Sequence, residues 1–261
     1  MTVPKFGHIV LLFALLLFVA GCEGNIPEPG PVVPEDAPVI GVTRCGISET
    51  TMGYYRKCLH DAGAEVVFFQ YYAQTDSLAK AYVSQVDGII IPGSFSKDSS
   101  YRASCDNRII REALDKGKPL LGICYGHQRI STVLGGKTTA VSTLAPNSKV
   151  LHKNVDDKGT NVGLLSEAHS IHITPGSLLA TLLRDTVVMV NTSHNYAVEK
   201  LGKGLTATAR ADDGIMEAFE GTNILGVQFH PEYLYGKMGK ERFLPIFKNL
   251  RDQAALARAS R

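Results

Sequence analysis

Leu120-Leu121-Gly122-Ile123-Cys124-Tyr125-Gly126-His127-Gln128 runs from an apolar stretch of strand length into a segment of helical length, with a cysteine between two glycines at the junction. An unbroken apolar run suits a strand covered on both faces, the condition of a parallel sheet. A nucleophile on a tight strand-to-helix turn needs small residues two positions to either side, so that it projects without clashing. Gly122 and Gly126 meet that need around Cys124. The helix N-terminus that follows adds partial positive charge, which favours a thiolate over a thiol. Buried, inert cysteines are common in such surroundings too, so the flanking sequence has to decide.

Outward from this junction the same alternation repeats. Apolar runs at 39–43, 66–69 and Gly88–Ile91 are separated by segments of helical periodicity at 51–62, 77–85 and 107–116, and a further helical segment covers 128–134. The alternation then loosens. Short runs at 187–190 and 205–209 predict some antiparallel pairing, 224–229 returns to a core-strand pattern, and 240–257 reads as a closing helix. No internal repeat is present. Strands alternating with helices predict an α/β domain with a mostly parallel central sheet covered on both faces. In such sheets the ligand site lies beyond the carboxyl ends of the strands, so residues just after the apolar runs carry most weight.

Two such positions can assist a thiol. After the run ending at Phe229 comes His230-Pro231-Glu232. Proline at 231 biases His230 toward extended backbone, and residues i and i+2 of an extended chain face one side, which predicts the Glu232 carboxylate beside the His230 ring. A carboxylate on one imidazole nitrogen fixes the tautomer and leaves the other to accept a thiol proton. After Asp87-Gly88-Ile89-Ile90-Ile91 comes Pro92-Gly93-Ser94. The backbone N–H of Gly93, paired with that of Tyr125, could face a developing oxyanion.

In this order and spacing, IPG, GICYGHQ and QFHPE resemble the three marks of the class I glutamine amidotransferases. The resemblance spans roughly 39–247 and implies a flavodoxin-like three-layer α/β/α fold. It also implies a triad of Cys124, His230 and Glu232, with Gln128 touching a glutamine-like substrate. The stretches His169-Ser170-Ile171-His172-Ile173-Thr174-Pro175-Gly176, Val190-Asn191-Thr192-Ser193-His194 and Asp213-Gly214-Ile215-Met216-Glu217-Ala218 are similar to the γ-glutamyl-γ-aminobutyrate hydrolase branch, the C26-type peptidases. By that likeness His194 approaches the substrate. Two departures concern substrate choice: Tyr125-Gly126 stands where that branch usually has Arg-Gly, and Pro92-Gly93-Ser94 where it has Pro-Gly-Gly. The leading expectation is a cysteine hydrolase acting on a small γ-glutamyl substrate without a cofactor. The alternatives are the glutaminase half of an amidotransferase and a non-catalytic binding lipoprotein on the same scaffold.

The remaining features bear on location and partners. The 27 Lys and Arg nearly balance the 25 Asp and Glu, and no basic run is interleaved with aromatics, so nothing points to nucleic acid. Lys5 precedes an apolar run at 9–20 that is too short to span a bilayer but suits a signal peptide. Its end, Val19-Ala20-Gly21-Cys22, resembles the bacterial lipobox, which implies cleavage after residue 21 and a lipid anchor on Cys22. Residues 22–37 are proline-rich and read as an extended tether, giving a domain over 38–261 held at a membrane outside the cytoplasm, in the cell envelope. Export would permit disulfides among Cys45, Cys58 and Cys105, whereas a nucleophilic Cys124 must stay unpaired. His169 and His172, three apart in a strand or loop, point to opposite sides, and no nearby Cys or carboxylate cluster completes a tetrahedral set, so no metal site is expected. Tyr71 and Tyr72 either line the pocket mouth or pack. Lys237, Lys240, Arg242, Lys248 and Arg251 read as a solvated face.

Overall fold

A computed structural model describes residues 34, 36–43, 47–70, 72–93, 100–153 and 162–260. The leader, Cys22, nearly all of the tether, Cys45, Tyr71 and Ser94 lie outside the described residues. The chain begins with β1 (Val39–Val42), α1 (Glu49–Asp61), β2 (Glu65–Phe68), α2 (Asp76–Ser84), β3 (Gly88–Ile91), α3 (Ser100–Asp115), β4 (Leu120–Ile123) and α4 (Tyr125–Val133). A second stretch holds β5 (Lys137–Ala140), α5 (Val141–Leu144), β6 (His169–Ile173), α6 (Leu178–Leu183), β7 (Val187–Val190), β8 (Tyr196–Lys200), β9 (Thr206–Ala211) and β10 (Met216–Gly221). It closes with β11 (Ile224–Val227), α7 (Pro231–Gly236) and α8 (Leu244–Ala259).

Nine strands form one sheet in the order β2-β1-β3-β4-β11-β10-β9-β6-β7. The first five are mutually parallel and follow the flavodoxin-like order, with β11 in fifth place. The other four extend this core as an antiparallel wing, as the runs at 187–190 and 205–209 predicted. β5 and β8 pair separately.

Alternate side chains of the buried strands feed two cores. Ile90, Leu121 and Ile123 join residues of α1, α6, α7 and α8 on one face. Ile89, Ile91 and Leu120 join residues of α2, α3 and α4 on the other. This is why β3, β4 and β11 read as unbroken apolar runs: both of their faces are covered.

Local signals set most boundaries. Ser48 and Thr75 cap α1 and α2 by accepting from Thr51 N and Leu78 N at 3.1 and 3.2 Å. Three boundaries depart from the sequence expectation. α3 begins at Ser100, well before 107. The closing helix begins at Leu244, after a 3₁₀ turn at Glu241–Phe243, because Pro245 fits only the first turn of an α-helix. The domain's bonded surface includes the end of the expected tether, since Arg258 Nη1 donates to the carbonyls of Asp36 and Ala37, each at 3.1 Å.

The tightest packing joins α4 to β3. A Cβ built on Gly126 would lie 1.8 Å from the backbone oxygen of Ile91, and one on Gly122 would lie 2.7 Å from Ile130 Cδ1. Backbone cannot yield as a flexible side chain does, so Gly126→Ala should cost about 3 kcal/mol. Gly53, inside α1, has nothing within 4 Å of such a Cβ, so Gly53→Ala should stabilise by about 0.5–1 kcal/mol through helix propensity and a less flexible unfolded chain. Urea unfolding of both variants checks this pair. Equal effects would mean that the Gly126 contact is not tight.

Candidate active site

Pro92-Gly93, Cys124 and His230 follow the carboxyl ends of β3, β4 and β11, three adjacent parallel strands. The register brings Ile91 level with Gly122 and Ile123 level with Val227, and Cys124 N donates to Val227 O at 2.8 Å. Cys124 itself has φ 52° and ψ −103° and stands at the N-cap of α4. That backbone is rare for a residue with a Cβ and costs of order 1–3 kcal/mol, tolerated only where the surroundings over-determine it. The sulfur lies on a buried floor, 3.8 Å from the Ser193 carbonyl oxygen.

His230 and Glu232 meet as expected, with Nδ1 and Oε1 2.8 Å apart and both side chains almost fully buried. The backbone route differs from the expected extended tripeptide. His230 has φ −113° and ψ 82° and is the N-cap of α7, Pro231 opens the helix, and Glu232 lies in its first turn. Proline's fixed φ and missing donor suit a first helical position, and this sends the chain into a helix immediately after His230.

The His230 backbone is clamped by a residue whose role the sequence did not reveal. Fully buried Asn191 accepts from His230 N at 2.9 Å and donates to His230 O at 3.1 Å and to Leu164 O at 3.1 Å. Burial alone would lower the His230 pKa, but the charges of Glu232 and Cys124 and hydrogen bonds with both outweigh it and push it up to about 10. His230 is therefore held as imidazolium, its proton-bearing ring between carboxylate and sulfur.

Gly93 packs against both partners: a Cβ there would lie 2.6 Å from His230 Cε1 and 3.5 Å from Cys124 Cβ. Tyr125 opens α4, so its N–H is one of those at the N-terminus of that helix. A buried strut joins these two backbone segments. Arg102 donates to Asp106 Oδ2 at 3.2 Å and to Pro92 O at 3.3 Å, and its guanidinium lies 3.8 Å from the centre of the Tyr125 ring. Removing one partner of such a buried pair costs about 3–5 kcal/mol, so Arg102 is a positioning residue that a surface arginine would not match.

The residues expected to contact substrate are anchored from behind. Gln128 Nε2 donates to Tyr196 O at 2.6 Å and to Gln228 Oε1 at 3.0 Å. His194 is turned into the protein. Its Nδ1 lies 3.0 Å from Tyr196 O and its Nε2 3.2 Å from His152 Nδ1, in a buried group that also contains His169 and Glu217. Burial would raise the Glu217 carboxyl, but His152 and His194 beside it bring it down to about 2. His169 and His172 do point apart: His169 is buried and His172 is exposed beside Asp212. The carboxylate that local spacing did not supply comes instead from Glu217 on β10.

Cys58, Cys105 and Cys124 are unpaired, and burial pushes the first two thiols up. Tyr72 packs edge-on against Tyr101 at 5.5 Å. Lys237 and Lys248 are exposed, and Lys240 and Arg242 make exposed ion pairs with Glu167 and Asp185 at 3.3 Å each, in keeping with a solvated face, whereas Arg251 is half-buried. No helix among the described residues is long and apolar enough to cross a membrane.

The chain is similar to several known proteins. The family model described as glutamine amidotransferase class-I matches residues 51–250. Protein NtpR of Enterococcus hirae is 29% identical over 185 residues, covering 64% of this chain and 75% of that protein. The γ-glutamyl-γ-aminobutyrate hydrolase PuuD of Escherichia coli is 26% identical over 231 residues, covering 79% of this chain and 90% of its own. The glutaminase domain of Trypanosoma brucei CTPS, solved with bound acivicin, superposes with a TM-score of 0.59 at 18% identity, covering 84% of this chain and 94% of that one.

The raised His230 pKa makes stability depend on pH. A group whose folded-state pKa lies above its unfolded value contributes stability that is complete below the unfolded value, near 6.5, and lost as pH rises through the folded one, about 10. The melting-temperature gap between the native chain and His230→Gln should therefore shrink steadily from pH 6.5 to pH 10. A gap constant across that range would show that His230 is not held as a cation.

Proposed function

The chain belongs to the class I glutamine amidotransferase family, and from that membership we propose that it is a cysteine-dependent hydrolase of γ-glutamyl amides working through an acyl-enzyme on Cys124. The observation that carries the proposal is the strained Cys124 elbow set beside a His230–Glu232 pair only 2.8 Å apart. The finer assignment to γ-glutamyl compounds draws on the likeness to the Escherichia coli hydrolase over most of both chains.

In the proposed reaction the Cys124 sulfur attacks the amide carbonyl carbon, and the carbonyl electrons move onto oxygen. The N–H groups of Gly93 and Tyr125 stabilise that oxyanion, each worth about 3 kcal/mol by analogy with known donors. The tetrahedral intermediate collapses, the C–N bond breaks, and His230 gives its proton to the departing amine. Water then attacks the thioester, with the now neutral His230 taking its proton, and the carboxylic acid leaves as the sulfur is released. Glu232 keeps the ring oriented and offsets its charge throughout. Gln128, fixed by Tyr196 and Gln228, is the group proposed to meet the glutamyl end.

The purified chain should hydrolyse γ-glutamyl-aminobutyrate or γ-glutamyl dipeptides without a partner. Cys124→Ala should lower the rate by about 10⁴-fold or more while leaving the circular dichroism spectrum unchanged. Diazo-oxo-norleucine should label Cys124, located by peptide mass spectrometry. Label on Cys58 or Cys105 would overturn the assignment, and turnover of glutamine alone, dependent on an added synthase, would favour a glutaminase component.

We further propose that Cys22 carries a lipid anchor and that the domain works in the cell envelope, on the strength of the Val19-Ala20-Gly21-Cys22 junction and the proline-rich segment behind it. Cys22→Ser should move the chain from the membrane to the soluble fraction in a bacterial host. Identical fractionation of the two forms would sink the anchor.

A further inference from the structure

His152, His169, His194 and Glu217 are all buried, and one ligand-type atom from each lies within 4.8 Å of every other. They come from separate parts of the chain. His169 is on β6 and Glu217 on β10, on either side of β9, whereas His152 and His194 lie in loop segments that run side by side. His194 N donates to His152 O at 2.8 Å, and Thr192 Oγ1 donates to the same oxygen at 2.7 Å. Glu217 sits where the β9–β10 register shifts, opposite no residue of its own, so that its side chain is re-aimed out of the regular ladder.

The outer hydrogen bonds fix which nitrogen each ring turns inward. A carbonyl oxygen only accepts, so His194 donates Nδ1–H to Tyr196 O at 3.0 Å and His169 donates Nδ1–H to Ser170 O at 3.1 Å. His152 donates Nε2–H to the Asp213 carboxylate at 2.9 Å. In neutral rings, Nδ1 of His152 and Nε2 of His169 and His194 are then lone pairs facing the Glu217 carboxylate. Nε2 of His169 and both Glu217 oxygens are buried without a hydrogen-bond partner. Three lone pairs and a carboxylate gathered in a buried group repel one another unless a proton or a metal cation lies among them. Carboxylate and carbonyl partners on the outer nitrogens are the usual support of metal-bound histidines.

We propose that His152, His169, His194 and Glu217 bind one zinc ion as a structural site beside the active site. A tetrahedral ion with ligands at 2.0–2.1 Å separates them by about 3.3–3.4 Å. Four of the ligand separations are 3.2 Å (His152 to His194), 3.5 Å (His152 to Glu217), 3.5 Å (His194 to Glu217) and 3.8 Å (His169 to Glu217). Imidazole nitrogen with a single carboxylate suits zinc better than magnesium or calcium, which take oxygen. Four protein ligands close the coordination shell, so the ion fastens loops to the sheet and leaves no open position for substrate. A cleft of about 500 Å³ lined by His152, His194 and Tyr196 offers the ion a way in. The fastened loop includes Ser193, whose carbonyl faces the Cys124 sulfur.

The test is metal content, which does not depend on the reaction proposed above. The full chain, purified without chelator, should carry about one zinc per molecule by inductively coupled plasma mass spectrometry. Loss of an outer hydrogen-bond partner alone weakens such sites by roughly 10- to 100-fold, so His169→Ala and Glu217→Gln should lose at least that much affinity. His172→Ala, on the opposite face of the same strand, should keep its zinc. As a check independent of variant folding, the native chain stripped of metal and given cobalt(II) should develop the visible absorption of a tetrahedral ion, lacking the near-ultraviolet band of a thiolate ligand and discharged by zinc. Absence of both zinc and the cobalt spectrum would overturn the proposal and leave a protonated histidine network in its place. Zinc retained equally by His169→Ala and Glu217→Gln, or a thiolate band, would also overturn it.

Discussion

The contact of Gly126 with the Ile91 carbonyl is the constraint on which the site depends. At that separation no side chain fits between α4 and β3, so the helix begins directly over the strand end. To enter a helix so close to the sheet the chain must turn at one residue, and Cys124 takes the left-handed backbone that the turn requires. The same closeness lets Gly93 lie against both His230 and Cys124. A larger residue at 93, 122 or 126 would therefore shift Cys124 relative to His230, and two apolar cores hold the sheet on which all three strand ends are registered.

Buried polar groups supply position more than net stability. An ion pair away from water recovers little of its desolvation cost, but it is strongly directional and expensive to break. Arg102 uses this to tie the turn after β3 to the ring of Tyr125, and Asn191 does so with neutral hydrogen bonds to the backbone of His230. His230 is therefore fixed at its backbone by Asn191 and at its ring by Glu232. In the proposed reaction, a base restrained at both ends would lose little entropy on meeting a substrate.

The antiparallel wing is joined to this centre by more than the Asn191 clamp. Gln228 N donates to Glu217 O at 2.8 Å just before the chain reaches His230, and the Ser193 carbonyl meets the Cys124 sulfur from the loop that carries His194. The histidine cluster thus lies behind the loop that walls Cys124. His194 belongs to that wall, with its ring nitrogens turned toward Tyr196 and His152.

The features that depend on a few neighbouring residues were legible in the sequence. Alternating apolar runs marked the parallel strands and their helices, the glycines around Cys124 marked the elbow, and His230-Pro231-Glu232 marked the pair at the end of β11, because sterics and periodicity act over a few residues. Even there the route was decided by packing: Pro231 begins a helix where extended chain was expected, and α3 begins at Ser100 although the helical pattern is clear only from 107. Contacts between distant segments left no local signal. Arg102 had no visible reason to be buried, Asn191 no visible tie to His230, and His152 and Glu217 no spacing that related them to His169 or His194. Those partners are separated by tens of residues along the chain. Only the strand order, which brings β6, β9 and β10 together and carries His230 to the end of β11 beside β4, converts them into neighbours.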